Sequence, residues 1–103
     1  MRQVRTRRVD RFAGRVGVRA TGVEVRDLGY RWGSRGKGEK LYFHWRTALL
    51  PPGIVEYVVV HELVHLREAH HTPDFWLAVE RAMPDYLTRK QWLAERGHFT
   101  SAI

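Results

Sequence analysis

From Ile54 to about Ala69 the chain reads IVEYVVVHELVHLREA, and apolar residues fall on nearly every side of a helix drawn through it. A segment of that kind belongs inside a core. The β-branched run Val58-Val59-Val60 lowers intrinsic helicity, so a buried strand is the competing reading. What favours the helix is His61-Glu62-Leu63-Val64-His65, an H-E-x-x-H pattern whose two imidazoles share a face only at helical spacing. Two histidines and a glutamate among so many valines and leucines are costly unless something pairs with them. The segment therefore predicts a core helix with a metal bound on one side.

Two imidazoles four residues apart on a helix can meet one cation at about 2.0–2.1 Å. Glu62, next to the first ligand, reaches a metal-activated water rather than the metal. It would act as general base and later pass the proton to the leaving group. A catalytic zinc site needs a third protein ligand, and His70, His71 and Glu80 are the candidates. His71 lies ten residues after His61, as in H-E-x-x-H-x-x-G-x-x-H, although Glu68 stands where that pattern has glycine. His70 is one residue nearer, and Glu80 would supply a carboxylate from the next helix.

The remaining elements follow from periodicity and turn signals. Thr6 caps a first helix whose Val9, Phe12, Ala13 and Val16 share a face, with Gly17 stopping it. Val23 and Val25, alternating with Glu24 and Arg26, predict a strand. Leu41, Phe43 and Trp45 on one face, with Tyr42 and His44 on the other, predict a second. Between them, YRWGSRGKGEK reads as a glycine-rich basic loop without regular structure. After the boundary LLPPG and the core helix, Thr72-Pro73-Asp74 starts a helix that buries Phe75, Trp76 and Val79 and ends near Pro84. A last helix, with Thr88 and Gln91 as a capping box, buries Trp92 and Leu93 and stops at Gly97.

With 103 residues, the chain suffices for one domain spanning 1–103. It has no cysteine, which excludes a disulfide framework and a thiolate metal site. No leader and no membrane-length apolar run is apparent, and a cytoplasmic location is the expectation. The net charge of +7 is uneven: residues 1–46 carry thirteen Lys/Arg against four Asp/Glu, and residues 47–103 carry five against seven. A basic half points to an anionic partner, nucleotide or nucleic acid, or simply to solubility.

The stretches YRWGS, PPGIVEYVVVHELVHL, HHTPDFW and MPDY resemble the YgjP-like zinc metallopeptidases, relatives of the SprT-like proteases. The resemblance runs from about Val23 to Trp92. It implies an α+β, minimal zincin-like domain, with a short twisted sheet packed on the active-site helix and further helices behind. It implies Zn2+ held by His61, His65 and the histidine before the Thr-x-x-Phe-Trp segment, His71, with Glu62 as the catalytic glutamate. Arg35 stands where the family usually carries cysteine.

The leading expectation is a zinc-dependent peptidase acting on peptide or protein. The strand Leu41–Trp45 would pair with an extended substrate, and His44 is a candidate oxyanion donor. Tyr57 and Trp76 read as core. A second expectation is phosphoanhydride hydrolysis of a nucleotide, with Arg31, Arg35 and Lys37 of the basic loop holding phosphates. A third is a nucleic-acid-associated module with structural zinc. The absence of cysteine and the presence of Glu62 beside His61 argue against it.

Overall fold

The computed structural model describes residues 2–20, 22–27, 33–35, 38 and 40–96. Helix α1 (Arg2–Val16) leads into strands β1 (Gly22–Arg26), β2 (Gly33–Arg35) and β3 (Lys40–His44), and then a 3-10 helix (Trp45–Leu49). Helices α2 (Pro52–His65), α3 (Pro73–Ala82) and α4 (Tyr86–Arg96) complete the fold. The three strands form one sheet in the order β1-β3-β2. β1 runs parallel to β3 with Val23 opposite Leu41, and β2 runs antiparallel to it with Gly33 opposite Phe43.

Helix α2 is the centre. It packs against α1, α3, α4 and β2. From Ile54 to Val64 every residue except Glu56 is buried, which matches its lack of a polar face. Pro52 starts it at a position where a missing N–H costs nothing. It ends at His65 rather than near Ala69. There the N–H groups of Arg67 and Glu68 both turn back to the Val64 carbonyl. This early stop sends the chain back across the helix face that carries the histidines.

Elsewhere the residues mostly form the elements their patterns predict. Val9, Phe12, Ala13 and Val16 are buried on α1, and Gly17 closes it at φ +81°. The helix begins at Arg2, however, so Thr6 lies within it and is not its cap. Thr72 caps α3, its Oγ1 accepting from the Phe75 N–H at 3.4 Å, with Pro73 at the first position and Asp74 in the first turn. That helix buries Phe75 and Val79 but leaves Trp76 half-buried, and it stops at Ala82. On α4, Leu93 is buried and Trp92 half-buried; Thr88 lies inside the helix rather than at its start, and Gly97 falls outside the described residues.

Two expectations change in the sheet. Gly33–Arg35, expected in an irregular loop, pairs with β3 as a strand, because tertiary hydrogen bonding outweighs the weak strand preference of its glycine. Trp45, expected to continue the Leu41–Phe43 face of a longer strand, sits in the 3-10 helix and is 48% exposed. The chain bends there because the His44 ring caps that helix, its Nδ1 accepting from the Arg46 N–H at 3.0 Å.

Several arginines stitch helix ends together. Arg15 donates to the Ala82 carbonyl, Arg67 to the Val16 carbonyl and Arg89 to the Gly53 carbonyl, at 3.5, 3.0 and 3.1 Å. Glu56 of α2 accepts from Arg11 of α1 and Arg89 of α4. At these positions positive charge is used within the fold.

Thr72→Ala should remove the α3 cap and lower the unfolding free energy by about 1 kcal/mol. That corresponds to about 4–8 °C in melting temperature for a domain of this size. Thermal melts of the variant beside the parent chain measure it, and an unchanged melting temperature would count against the cap.

Candidate metal centre

His61 and His65 project from the last turns of α2, one 2% exposed and the other half-buried. The turn that follows returns His71, itself exposed, to the same place. His71 Nε2 lies 3.1 Å from His61 Nε2 and 3.0 Å from His65 Nε2. One nitrogen from each residue falls within a cluster 4.8 Å across, the arrangement a single ion requires.

Proton placement makes the case stronger. His65 Nδ1 lies 3.1 Å from the Glu68 carbonyl oxygen and His61 Nδ1 lies 3.1 Å from Glu62 Oε2. Both partners are acceptors, so each Nδ1 carries the hydrogen, and each neutral ring then presents a bare lone pair at Nε2. His71 Nε2 faces both lone pairs. With one hydrogen at most, it cannot satisfy the two together, and nitrogen lone pairs about 3 Å apart repel. A cation at their meeting point resolves the conflict. Two nitrogens each about 2.0–2.1 Å from one ion lie roughly 3.3 Å apart at a tetrahedral angle, close to the spacing here. The three imidazoles therefore fit a divalent metal.

Electrostatics point the same way. Burial, with the other histidines adding to it, holds the His65 and His71 imidazoles below their ordinary pKa and so in the neutral form that binds metal. Lys90 is among the charges that depress His71.

Glu62 is 4% exposed and lies against β2. A Cβ at Gly33 would stand 2.7 Å from Glu62 Cγ and 3.1 Å from its Cδ, so the strand comes this close only because residue 33 is glycine. Helix burial and the strand's glycine together confine the carboxylate beside the histidines.

Aromatic rings enclose the other side. Phe75 meets His61, His65 and His71 with ring centroids 5.1, 4.6 and 4.9 Å away. Trp76 stacks on His71 at 5.5 Å and on Tyr86 at 5.8 Å. Tyr57 is fully buried, its ring 6.1 Å from that of His61 and its hydroxyl without a hydrogen-bond partner among the described residues. Burial, with Tyr86 and Glu62 nearby, drives its pKa upward.

Of the third-ligand candidates, His71 joins the cluster. His70 and Glu80 are exposed and stand outside the metal-ligating group found among the described residues. His44 is 3% exposed and both its ring nitrogens are engaged, Nδ1 with the Arg46 N–H and Nε2 3.3 Å from Asp27 Oδ1. Arg31 and Lys37 lie outside the described residues, as does the side chain of Arg35. Sequence reasoning missed Gly33 as the floor under Glu62, and it missed Tyr86 and Lys90 beside Trp76. Their sequence signals are generic: a glycine in a polar loop, and a tyrosine and lysine four apart on a helix.

The model of the YgjP-like metallopeptidase domain matches residues 1–96. The chain belongs to this family. Among solved structures it is similar to the metallopeptidase zymogen abylysin of Pyrococcus abyssi, with a TM-score of 0.80 and 17% identity. That likeness covers 94% of this chain and 99% of the other, and at such identity it is a likeness of fold: the expected zincin-like α+β domain. No curated protein matches the chain. Family membership implies a bound metal, and the histidine triad is a group that could hold it. Among the described residues no helix is long and apolar enough to cross a membrane.

His71→Ala should weaken metal binding by more than about a hundredfold, since changing even an outer partner of a ligand typically costs 10–100-fold. His70→Ala should leave affinity nearly unchanged. Competition titration against a chelating dye distinguishes them, and equal losses for the two variants would unseat His71.

Proposed function

We propose that this chain is a zinc-dependent peptidase in which Glu62 is the general base. The observation that carries this reading is the convergence of three imidazole nitrogens beside a buried glutamate on α2. All-imidazole ligation suits zinc, and three protein ligands leave a position open, the mark of a catalytic rather than a structural site. When bound, zinc supplies Lewis acidity, which polarises a carbonyl and lowers the pKa of water towards about 7.

The chain's own residues do the rest. Glu62 takes the proton from the attacking water and returns it to the leaving amine, so that bond cleavage releases a neutral product. Its carboxylate also accepts from His61 Nδ1 at 3.1 Å, which keeps that ring's Nε2 unprotonated for the metal. The Glu68 carbonyl does the same for His65. Gly33 holds the base close by yielding it space.

The expected substrate strand needs revision. β3 lies between β1 and β2, so its backbone groups are already paired on both sides and cannot accept an extended peptide. β2 is the edge strand next to α2 and touches Glu62. A peptide adding to the edge of β2 that no other strand covers among the described residues would lie beside the base, with its backbone satisfying groups along that edge.

Glu62→Gln should retain the fold and near-stoichiometric metal yet lose at least about a hundredfold in hydrolysis of an unstructured protein, because an amide cannot accept the proton. Metal analysis and a proteolysis assay on one preparation test this, and activity within a factor of about two of the parent would remove Glu62 from its role.

Gly33→Ala should also keep the metal. Its methyl group must displace the carboxylate, and misplacement of a reacting group by about 1 Å costs on the order of a hundredfold in rate. Unchanged kcat/KM in this variant would show that the β2 approach is not what positions Glu62.

A further inference from the structure

Tyr86 and Lys90 stand four residues apart on α4 and so share one of its faces. Both meet the same indole. Tyr86 stacks on Trp76 with the ring planes 17° apart, and the Lys90 ammonium lies 4.7 Å from the Trp76 centroid. Trp76 in turn stacks on His71, 25° from coplanar, and its centroid is 6.1 Å from that of His61. A ledge of rings thus leads from the metal-facing histidines to a half-buried ammonium.

That ammonium differs from several other cations of the fold, which are held by carboxylates. Lys40 and Arg26 both pair with Glu24, Arg11 pairs with Glu56, and Arg89 with Glu56 and Asp85. Among the described residues Lys90 has no carboxylate partner, only the face of the Trp76 ring. The ring holds the ammonium in place by cation–π attraction, yet an ammonium has three N–H donors and the ring does not exhaust them. The free donors sit beside the indole that stacks on His71, and a divalent ion held by the three imidazoles would be only partly offset by one carboxylate, Glu62. An anionic group on a substrate is favoured here twice over. A single point charge on a flexible stem matches a single negative charge; phosphate sites gather several donors or a guanidinium fork, which this ledge does not display among the described residues.

We infer that Lys90, seated on Trp76, binds a carboxylate of the substrate and makes the proposed peptidase selective for peptides that carry one near the cleaved bond. The inference rests on the peptidase reading. The carboxylate is either an acidic side chain or the chain-terminal group, and the same chemistry serves both.

The test uses metal-loaded Glu62→Gln protein, which binds without cutting, and short labelled peptides followed by fluorescence anisotropy. One pair of peptides differs only as Glu against Gln, and a second only as a free against an amidated C-terminus. Lys90→Met keeps the aliphatic stem over the indole and removes only the charge. It should weaken binding of one carboxylate-bearing peptide by about fivefold, the worth of a partly exposed ion pair, and leave its neutral twin unchanged. The pair that responds identifies the carboxylate's source. Lys90→Arg should retain the preference, and Lys90→Glu should reverse it.

If every peptide binds its neutral twin's way, or if Lys90→Met shifts acid and neutral forms alike, the inference is wrong. The same Lys90 variants with Glu62 intact separate it from the peptidase reading. Cleavage without any change in acid preference leaves the peptidase and removes the carboxylate site. A Lys90-dependent binding preference in a protein that cuts no peptide does the opposite.

Discussion

The burial of α2 on all sides is the constraint from which the rest follows. A helix with no solvent face must be covered by other elements, and α1, α3, α4 and β2 each cover part of it. It also carries His61 and Glu62 into the interior, where isolated polar groups are expensive. The protein answers that expense locally. His61 and Glu62 pair with each other, His65 takes the Glu68 carbonyl, and the three remaining lone pairs converge where a cation can bind them.

A metal held by this triad would couple its binding to folding. The three Nε2 atoms face one another with too few hydrogens, so part of an ion's binding energy would relieve a conflict built into the fold. The turn after His65 is the element most exposed to this balance, because it holds His71 in place by backbone bonds to Leu63 and Val64 and through the Thr72 cap beyond. Arg67, donating to the end of α1 from within that turn, anchors it to the far side of the core.

The floor and the walls of the site come from different parts of the chain and have different physical origins. Below Glu62 the restriction is steric, a glycine strand with no room for a methyl group. Around the histidines it is aromatic, with Phe75 touching three rings and Trp76 two. The floor confines the Glu62 carboxylate, while the outer wall, which remains partly open to solvent, faces whatever approaches. Under the proposed function, this division would separate the residues that set rate from those that set preference.

Local chemistry was enough to write much of this in the sequence. The H-E-x-x-H spacing and its apolar flanks placed two candidate ligands and a candidate base on a core helix. The Thr72-Pro73-Asp74 start, the buried face of α1 and the closure at Gly17 depend on neighbouring residues alone and were read correctly. The family's motifs pointed to His71, but spacing by itself left His70 and Glu80 in contention, because the fold of a six-residue return cannot be read from offsets. What only the tertiary structure decided are contacts between residues remote in sequence. Gly33–Arg35 became a strand because β3 offered hydrogen bonds; β3 became the central strand, which left β1 and β2 as the edges of the described sheet. Gly33 acquired its role because Glu62, nearly thirty positions away in the chain, packs on it. The ledge of Trp76, Tyr86 and Lys90 likewise exists only where α3 and α4 meet. Periodicity and capping report what a residue does with its near neighbours; sheet order and close approach depend on how distant segments share one core.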